Sequence, residues 1–460
     1  NFFPTLINKN KQTIFHINNA ELFINENGLI CFKYMNRKIN LSNPVKVNHW
    51  YKIEFGCNKS SKSIFLKLFS INSQISKLVS EKYTEAENKD INLHGKICIA
   101  AQYNNSFATN FFNGKIEDPK IFSFSANSEI DLYAGWKFSE NISSTHVTDL
   151  NDKEMNLKLI NYPTRAVTGS NWDGSEMSWK HAKEQYSAIH FHEDDIYDFE
   201  WEDDFSFLIP EDMPSGIYLM KLECEKEEDN IPIFICPPKG QSNSKLCLII
   251  PTFTYTVYGN HARPDYSKDW DNLLKDWNAY KYNPANYKDY GLSTYNFHSD
   301  GSGICHASNL RPLINLRSGY ITFGTGNCSG LRHFQADSHL FSWLENQKIS
   351  FDILTDIELH NEGVESLKNY KAIMTTSHPE YHTVESLNAF QDFQNNGGNL
   401  IYLGGNGFYW KVVLHPENNK IIEIRRAEDG IRAWASEPGE YYNAFDGSYG
   451  GLWRRNGRPP

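Results

Sequence analysis

From Thr13 to Phe124 apolar and polar positions alternate in short runs such as Gly28-Leu-Ile-Cys-Phe-Lys-Tyr34 and Trp50-Tyr-Lys-Ile-Glu-Phe55, separated by turn residues. Successive side chains of a strand face opposite ways, so this alternation predicts half-buried strands of an all-β sandwich. Further strands are predicted at 189–192, 204–208 and 216–222, the last entered through the turn Ile209-Pro-Glu-Asp-Met-Pro-Ser-Gly-Ile-Tyr218. At Pro237-Pro-Lys-Gly-Gln-Ser-Asn-Ser244 the composition changes to that of a linker. Beyond it the pattern predicts strands at 245–250, 349–354, 370–374 and 399–403 and helices at 336–347, 363–369 and 384–395. Strands alternating with helices imply a parallel sheet with right-handed crossovers. The expected fold is multidomain, β followed by α/β, divided at 1–127, 128–240 and 241–460.

Size supports that division, because 460 residues with 40% hydrophobic and 14% aromatic content exceed what one core usually sustains. A net charge of −11 and a pI near 5.8 argue against nucleic acid or an anionic membrane surface as the main partner and are compatible with a small neutral substrate. The longest apolar runs, such as Leu246-Cys-Leu-Ile-Ile-Pro251, fall far short of the ~20 residues that cross a bilayer. No charged-then-apolar signal segment opens the chain. Its eight cysteines lack C-x-x-C spacing and mostly sit in apolar runs, which reads as reduced thiols of a cytoplasmic protein. A start at Asn1 without methionine and an end at Pro460, straight after a motif-like stretch, read as a segment of a longer chain.

The stretch Thr375-Thr-Ser-His-Pro-Glu-Tyr-His382 follows an apolar run and carries imidazole, carboxylate and phenol. A buried strand that ends this way delivers ligand-type side chains to the rim of a sheet, where open α/β folds place their sites. Phenolate and carboxylate oxygens suit ferric iron, whereas imidazole also suits zinc or ferrous iron. Tyr381, Glu380 and His378 are therefore candidates, together with Glu437 and Glu440 in Ser436-Glu-Pro-Gly-Glu-Tyr-Tyr442 and His339 in Gln335-Ala-Asp-Ser-His-Leu340. His190 and His192 share one side of a strand, and two readings stand open: a metal pair, or buried histidines satisfied by Asp194 or Asp195.

Three resemblances sharpen the picture. The phrase Phe112-Asn-Gly-Lys-Ile-Glu-Asp-Pro-Lys-Ile-Phe122 resembles the last strands of laminin-G or concanavalin-like jelly rolls, and the turn into 216–222 resembles that of immunoglobulin-like accessory domains. The run Phe390-Gln-Asp-Phe-Gln-Asn-Asn-Gly-Gly-Asn-Leu-Ile-Tyr-Leu-Gly-Gly-Asn406 resembles the helix, glycine cap and buried strand of class I glutamine-amidotransferase-like folds. A thiol member carries its nucleophilic cysteine on the following turn; Asn406 stands there instead. Cys328, in Gly324-Thr-Gly-Asn-Cys-Ser-Gly330, has no recognisable catalytic partner, and that stretch lacks the Lys-Ser/Thr pair of a phosphate loop.

Ser377-His-Pro-Glu-Tyr381, Gly404-Gly-Asn-Gly-Phe-Tyr-Trp410, Arg432-Ala-Trp434, Ser436-Glu-Pro-Gly-Glu440 and Gly450-Gly-Leu-Trp-Arg-Arg-Asn-Gly-Arg-Pro-Pro460 resemble signature blocks of the N,N-dimethylformamidase large (β) subunit family. Ala166-Val-Thr-Gly-Ser-Asn-Trp-Asp-Gly174 and His190-Phe-His192 are similar too. The resemblance implies an amidohydrolase of small formamides with a mononuclear iron held by two tyrosines and a glutamate. It puts Tyr381 in one tyrosine position, Glu437 in the glutamate position with Glu440 as alternative, and His339 where the second tyrosine is expected. Zinc is the alternative metal. Glu440, His378 and Glu380, with His382, are the candidates for proton transfer, and Asn406, Tyr409 and Trp410 for the substrate pocket. A small (α) subunit and a homo-oligomer of large subunits are the implied partners. The rival expectation is a carbohydrate- or ligand-binding protein whose α/β domain has lost its chemistry.

Overall fold

The computed structural model describes residues 1–58, 62–85, 95–104, 107–124, 130–151, 153–324, 328–427 and 433–458. Arg432, Pro459 and Pro460 of the motif blocks, and 325–327 of the Gly-rich stretch, lie outside the described residues. The chain forms two compact units: Asn1–Asp195 with His298–Ser302 and Glu437–Gly447, and Ile196–Phe297 with Gly303–Ser436 and Ser448–Pro460.

In the first unit the alternating N-terminal pattern folds into two antiparallel sheets. One has five strands, with Gln12–Ile17 between Ala20–Ile24 and Ile97–Ile99. The other has seven and includes Phe2–Pro4, Gly114–Glu117 and, from further along the chain, Thr164–Val167 and Ala188–Phe191. Inward residues of both sheets, among them Leu22, Ile24, Ile30, Ile64, Leu66, Ile116 and Ile189, form one apolar core.

In the second unit four parallel strands pair in the order Asp352–Thr355, Leu246–Ile250, Ala372–Thr375, Asn399–Ile401. The central strand shows why an unbroken apolar run belongs here: Cys247 and Ile249 pack with Ala389, Phe390 and Phe393, whereas Leu248 and Ile250 pack with Phe334, Phe341 and Leu344. Helices thus cover both faces, as parallel sheets require. Helix Val384–Asn395 lies where the sequence predicts it.

The expected helix at 363–369 forms earlier, as Asp356–Glu362 followed by the 3-10 turn Gly363–Ser366. Thr355 and Glu358 make a capping box that starts the helix directly after its strand, and Gly363, at φ 59°, ends it. The predicted strand at 204–208 is irregular; Phe205, Phe207 and Leu208 point into solvent, because alternation alone cannot supply a neighbouring strand. None of the eight cysteines, all among the described residues, is joined in a disulfide, and Cys224 and Cys328 are exposed. Among the described residues no helix is long and apolar enough to cross a membrane.

Candidate functional site

The strand Ala372–Thr375 runs out into Ser377, whose amide donates to Asp337 Oδ1 at 2.7 Å. Tyr381–His382 then pairs in parallel with Trp410–Lys411. The connecting glycines are needed for close approach: a Cβ on Gly404 would sit 2.6 Å from Pro379 Cδ, and one on Gly405 3.0 Å from His378 Nδ1. This packing buries a polar cluster beyond the carboxyl end of the parallel strand.

Tyr381 has no exposed surface, and its hydroxyl lies 2.6 Å from that of Tyr295. Tyr258, just past helix Thr252–Val257, stacks on Tyr295 at 4.2 Å between centroids, with hydroxyls 2.7 Å apart. Glu380 lies 2.8 Å from the Tyr258 hydroxyl, 3.4 Å from that of Tyr295, 3.0 Å from His378 Nε2 and 3.5 Å from Asn406 Nδ2. Two cations complete the cluster. Arg426 Nη2 donates to Tyr381 Oη and Arg332 Nη2 to Tyr258 Oη, each at 3.2 Å.

Each phenol has one proton to give. Tyr258 Oη has both Glu380 and Tyr295 as acceptors for its one proton, and with Tyr295 donating in turn to Tyr381, which also accepts from Arg426, Tyr381 keeps its own proton. Burial, with the Glu380 carboxylate beside it, holds the Tyr381 phenol well above its ordinary pKa, against the opposing pull of Arg426. Burial also lifts Tyr258, with Tyr295 and Glu380 adding to it, and lifts Tyr295, with Glu380 adding and Arg426, Tyr258 and Tyr381 opposing. Burial and Arg332 hold His333, which packs 4.3 Å from Tyr258, well below the usual imidazole range. Burial, then Arg263, pulls His261 down to about 4.

Of the residues predicted from sequence, this cluster unites Tyr381, Glu380, His378 and Asn406. Trp410 is buried beside it under the Arg426 guanidinium at 5.6 Å, and Tyr409 is 38% exposed. His382 is buried and bonded to the Pro379 carbonyl at 3.0 Å. His339 is exposed on helix Phe334–Asn346. Glu437 and Glu440 belong to the first unit, where Glu437 is exposed. Glu440 is buried there and bound to Lys115 Nζ at 2.5 Å and to the Thr168 amide and hydroxyl, each at 2.9 Å. Burial raises its pKa, but Lys115 outweighs that and holds it below the usual carboxylate range. Sequence reasoning missed Tyr258, Tyr295, Arg332 and Arg426; the density of tyrosines from Tyr255 to Tyr295 was the one available signal.

The first unit holds a second polar cluster. His190, on strand Ala188–Phe191, places Nε2 3.1 Å from Asp300 Oδ2, and His192 Nε2 lies 3.7 Å from the same oxygen. His192 Nδ1 faces Asp195 Oδ2 at 3.2 Å, and His298 Nδ1 faces Asp194 Oδ1 at 2.7 Å. The triads His190/His192/Asp300 and His192/Asp195/His298 each bring three possible ligand atoms within 4.8 Å of one another. Both readings of the His190–His192 pair therefore meet here: the rings are satisfied by carboxylates, and those carboxylates complete ligand-like triads.

Fold and site together define a protein of mixed β and parallel α/β architecture with a buried oxygen-donor cluster beyond a parallel strand. The sequence model of the N,N-dimethylformamidase beta subunit-like C-terminal family matches residues 164–460. The N,N-dimethylformamidase beta subunit of an Alcaligenes species is 35% identical over 383 residues, covering 78% of this chain and 49% of that protein. That of Paracoccus aminophilus is 34% identical over 371 residues, covering 75% and 48%. The chain belongs to the N,N-dimethylformamidase beta-subunit family, and it spans about half the length of these curated relatives. A solved Bacteroides ovatus structure, described as a candidate carbohydrate-binding protein, overlaps at TM-score 0.26 and 12% identity over 34% of this chain and 52% of that one, too low to carry an argument.

Proposed function

We propose that the protein takes part in hydrolysis of small N-substituted amides such as N,N-dimethylformamide to formate and an amine, with the reacting carbonyl at the Tyr381 cluster. The observation that carries this reading is the buried contact of Tyr381 with Tyr295 and Arg426 beside Glu380, inside the region the family shares.

An amide resists water because its C–N bond is partly double and its amine leaves poorly unless protonated. Phenol and guanidinium protons around Tyr381 would stabilise the oxyanion that forms as water adds to the carbonyl carbon. His378, whose Nε2 lies 3.0 Å from Glu380, would take the water's proton and return it to nitrogen as the C–N bond breaks, leaving the Glu380 carboxylate to hold the site. Asn406, Tyr409 and Trp410 would line the approach, and this rim must yield to admit the amide, since Tyr381 itself is fully buried.

The implied iron fits the donor chemistry: Tyr381, Tyr295 and Glu380 present hard oxygens of the kind a ferric ion takes. Bound there, iron would supply Lewis-acid polarisation of the carbonyl and a lowered water pKa. His339 and Glu437, the ligands the resemblance implies, are both exposed. Tyr295 and Glu380 are therefore the preferred companions of Tyr381. The relatives carry the name of a beta subunit, so the proposal includes a smaller partner subunit and an assembly of large subunits, and eight free thiols favour the cytoplasm.

The test is Tyr381→Phe in the complete enzyme with its partner subunit. Amine release and iron content should fall together with the fold retained, and full activity in that variant would sink the assignment.

A further inference from the structure

The cluster around His192 has no role in the reaction above, and its geometry points to a different use. We propose that His190, His192 and Asp300 hold a divalent cation of the zinc type in a closed structural site within the first unit.

Four observations carry this. Zinc bonds of about 2.0–2.2 Å in a tetrahedron place neighbouring ligand atoms roughly 3.3–3.5 Å apart. Asp300 Oδ2 lies 3.1 Å from His190 Nε2 and 3.7 Å from His192 Nε2, bracketing that spacing with imidazole and carboxylate donors of the kinds zinc binds. All three side chains are at least nine-tenths buried, at 9%, 2% and 1% exposure, the closure expected of a structural rather than a catalytic site.

The second layer is also present. Asp195 faces the other nitrogen of His192, the carboxylate–imidazole pairing that orients metal-binding histidines. Thr5 Oγ1 stands 2.6 Å from Asp300 Oδ2 and 3.4 Å from His190 Nε2, and Ser302 Oγ 3.0 Å from His192 Nε2, so a hydroxyl is at hand for the remaining position.

Charge points the same way. Asp194, Asp195 and Asp300 meet around three imidazoles, so the pocket gathers three carboxylates whose charge a dication would help to offset. One observation runs the other way: His298 Nε2 is buried with no hydrogen-bond partner among the described residues, 3.9 Å from Asp195 Oδ1.

That orphaned nitrogen favours the neighbouring triad, His192/Asp195/His298, but ring geometry decides against it. A metal lies close to the plane of each imidazole it binds. His192 and His298 stack face to face, 2° from parallel with centroids 3.7 Å apart, and cannot share one ion without a ring swinging out. His190 and His192 are inclined at 43° and can. On this reading His298, anchored through Asp194, walls the site, and the cation pins the excursion His298–Ser302 to strand Ala188–Phe191.

The experiment is cobalt(II) titration of the chelator-stripped full chain, read by visible absorption and by displacement with zinc. One equivalent should bind with the bands of tetrahedral cobalt, and zinc should raise the unfolding midpoint. Absence of both in the parent protein overturns the proposal without recourse to any variant. His190→Gln should abolish the cobalt bands, Asp195→Asn should weaken affinity about 10–100-fold, and His298→Gln and Tyr381→Phe should titrate as the parent. Loss in His298→Gln with retention in His190→Gln would overturn the ligand assignment. Loss in Tyr381→Phe would assign the bands to the oxygen-donor cluster and overturn the proposal.

Discussion

Replacing Lys115 with methionine tests what Glu440 does. The two side chains are 10% and 7% exposed and meet at 2.5 Å, while the Thr168 amide and hydroxyl supply the other bonds to Glu440. Methionine keeps lysine's unbranched stem as far as Cε and lacks only the terminal ammonium, so the perturbation is chiefly the loss of charge rather than a large cavity. Breaking one half of a buried ion pair costs about 3–5 kcal/mol because the remaining charge is left uncompensated. The two Thr168 bonds survive, so the lower end, about 3 kcal/mol, is expected at pH 7, a roughly 150-fold drop in the folding constant at 1.4 kcal/mol per decade.

The pH dependence supplies a second signature. In the parent the folded pKa of Glu440 is depressed, so its contribution is fully present above the ordinary carboxylate value and is lost as pH falls through the folded one. In Lys115→Met burial acts without its counterweight, the folded pKa rises, and the carboxylate destabilises the fold as pH rises. Urea midpoints of parent and variant should therefore be far apart at pH 7 and converge in acid. The double variant Lys115→Met/Glu440→Gln should recover most of the loss. A single variant within about 0.5 kcal/mol of the parent, the range of ordinary surface changes, would refute the reasoning, as would a gap that fails to close in acid. If the stable double variant is also catalytically silent in the complete enzyme, Glu440 moves protons as well; retained activity makes it a structural anchor.

Three further substitutions have outcomes set by burial and packing. Tyr381→Phe leaves the buried Arg426 Nη2 without its phenol acceptor and should lower stability by about 1–3 kcal/mol in denaturant titrations, while Tyr409→Phe, at a partly exposed position, should leave stability near the parent. Burial lifts the Asp118 carboxyl to about 6. A raised folded pKa means that stability is present below the ordinary value near 4 and lost as pH climbs to about 6, so Asp118→Asn, which keeps the acceptor for the Phe138 amide, should gain about 2 kcal/mol at pH 7 and nothing at pH 3.5. Gly303→Ala would bring a Cβ to 2.0 Å from Trp434 Cδ2, and the melting temperature should fall by the equivalent of about 1–3 kcal/mol of overpacking; an unchanged melt would mean that the indole has room to shift.

What the sequence disclosed and what it withheld divide along the range of the interactions. Strand 370–374, the motif ending at Tyr381 and helix Val384–Asn395 were legible because periodicity, capping and glycine placement act within one or two turns of chain. The rest of the Tyr381 cluster, and the second cluster of the first unit, are joined across long separations: Tyr295 lies 86 residues from Tyr381, Tyr258 122 from Glu380, and Asp300 110 from His190. Nothing local marks an isolated tyrosine or aspartate as a partner at such distances.

His339 shows the complementary limit. Its helix buries Phe334, Gln335, Asp337, Phe341 and Leu344; Gln335, in the first turn, is the one of these on the side of His339, which stands two residues from both Asp337 and Phe341, about 200° around the helix axis from each. The heptad arithmetic that fixes the buried face of Phe334–Asn346 therefore turns His339 toward solvent, whatever a motif alignment suggests for that position. Where alignment and helical phase disagree, the phase is the constraint imposed by burial. Oxygen donors beside Tyr381 in its own unit are then the carboxylate of its chain neighbour Glu380, which the motif already shows, and the phenol of Tyr295, which only the tertiary fold brings to it.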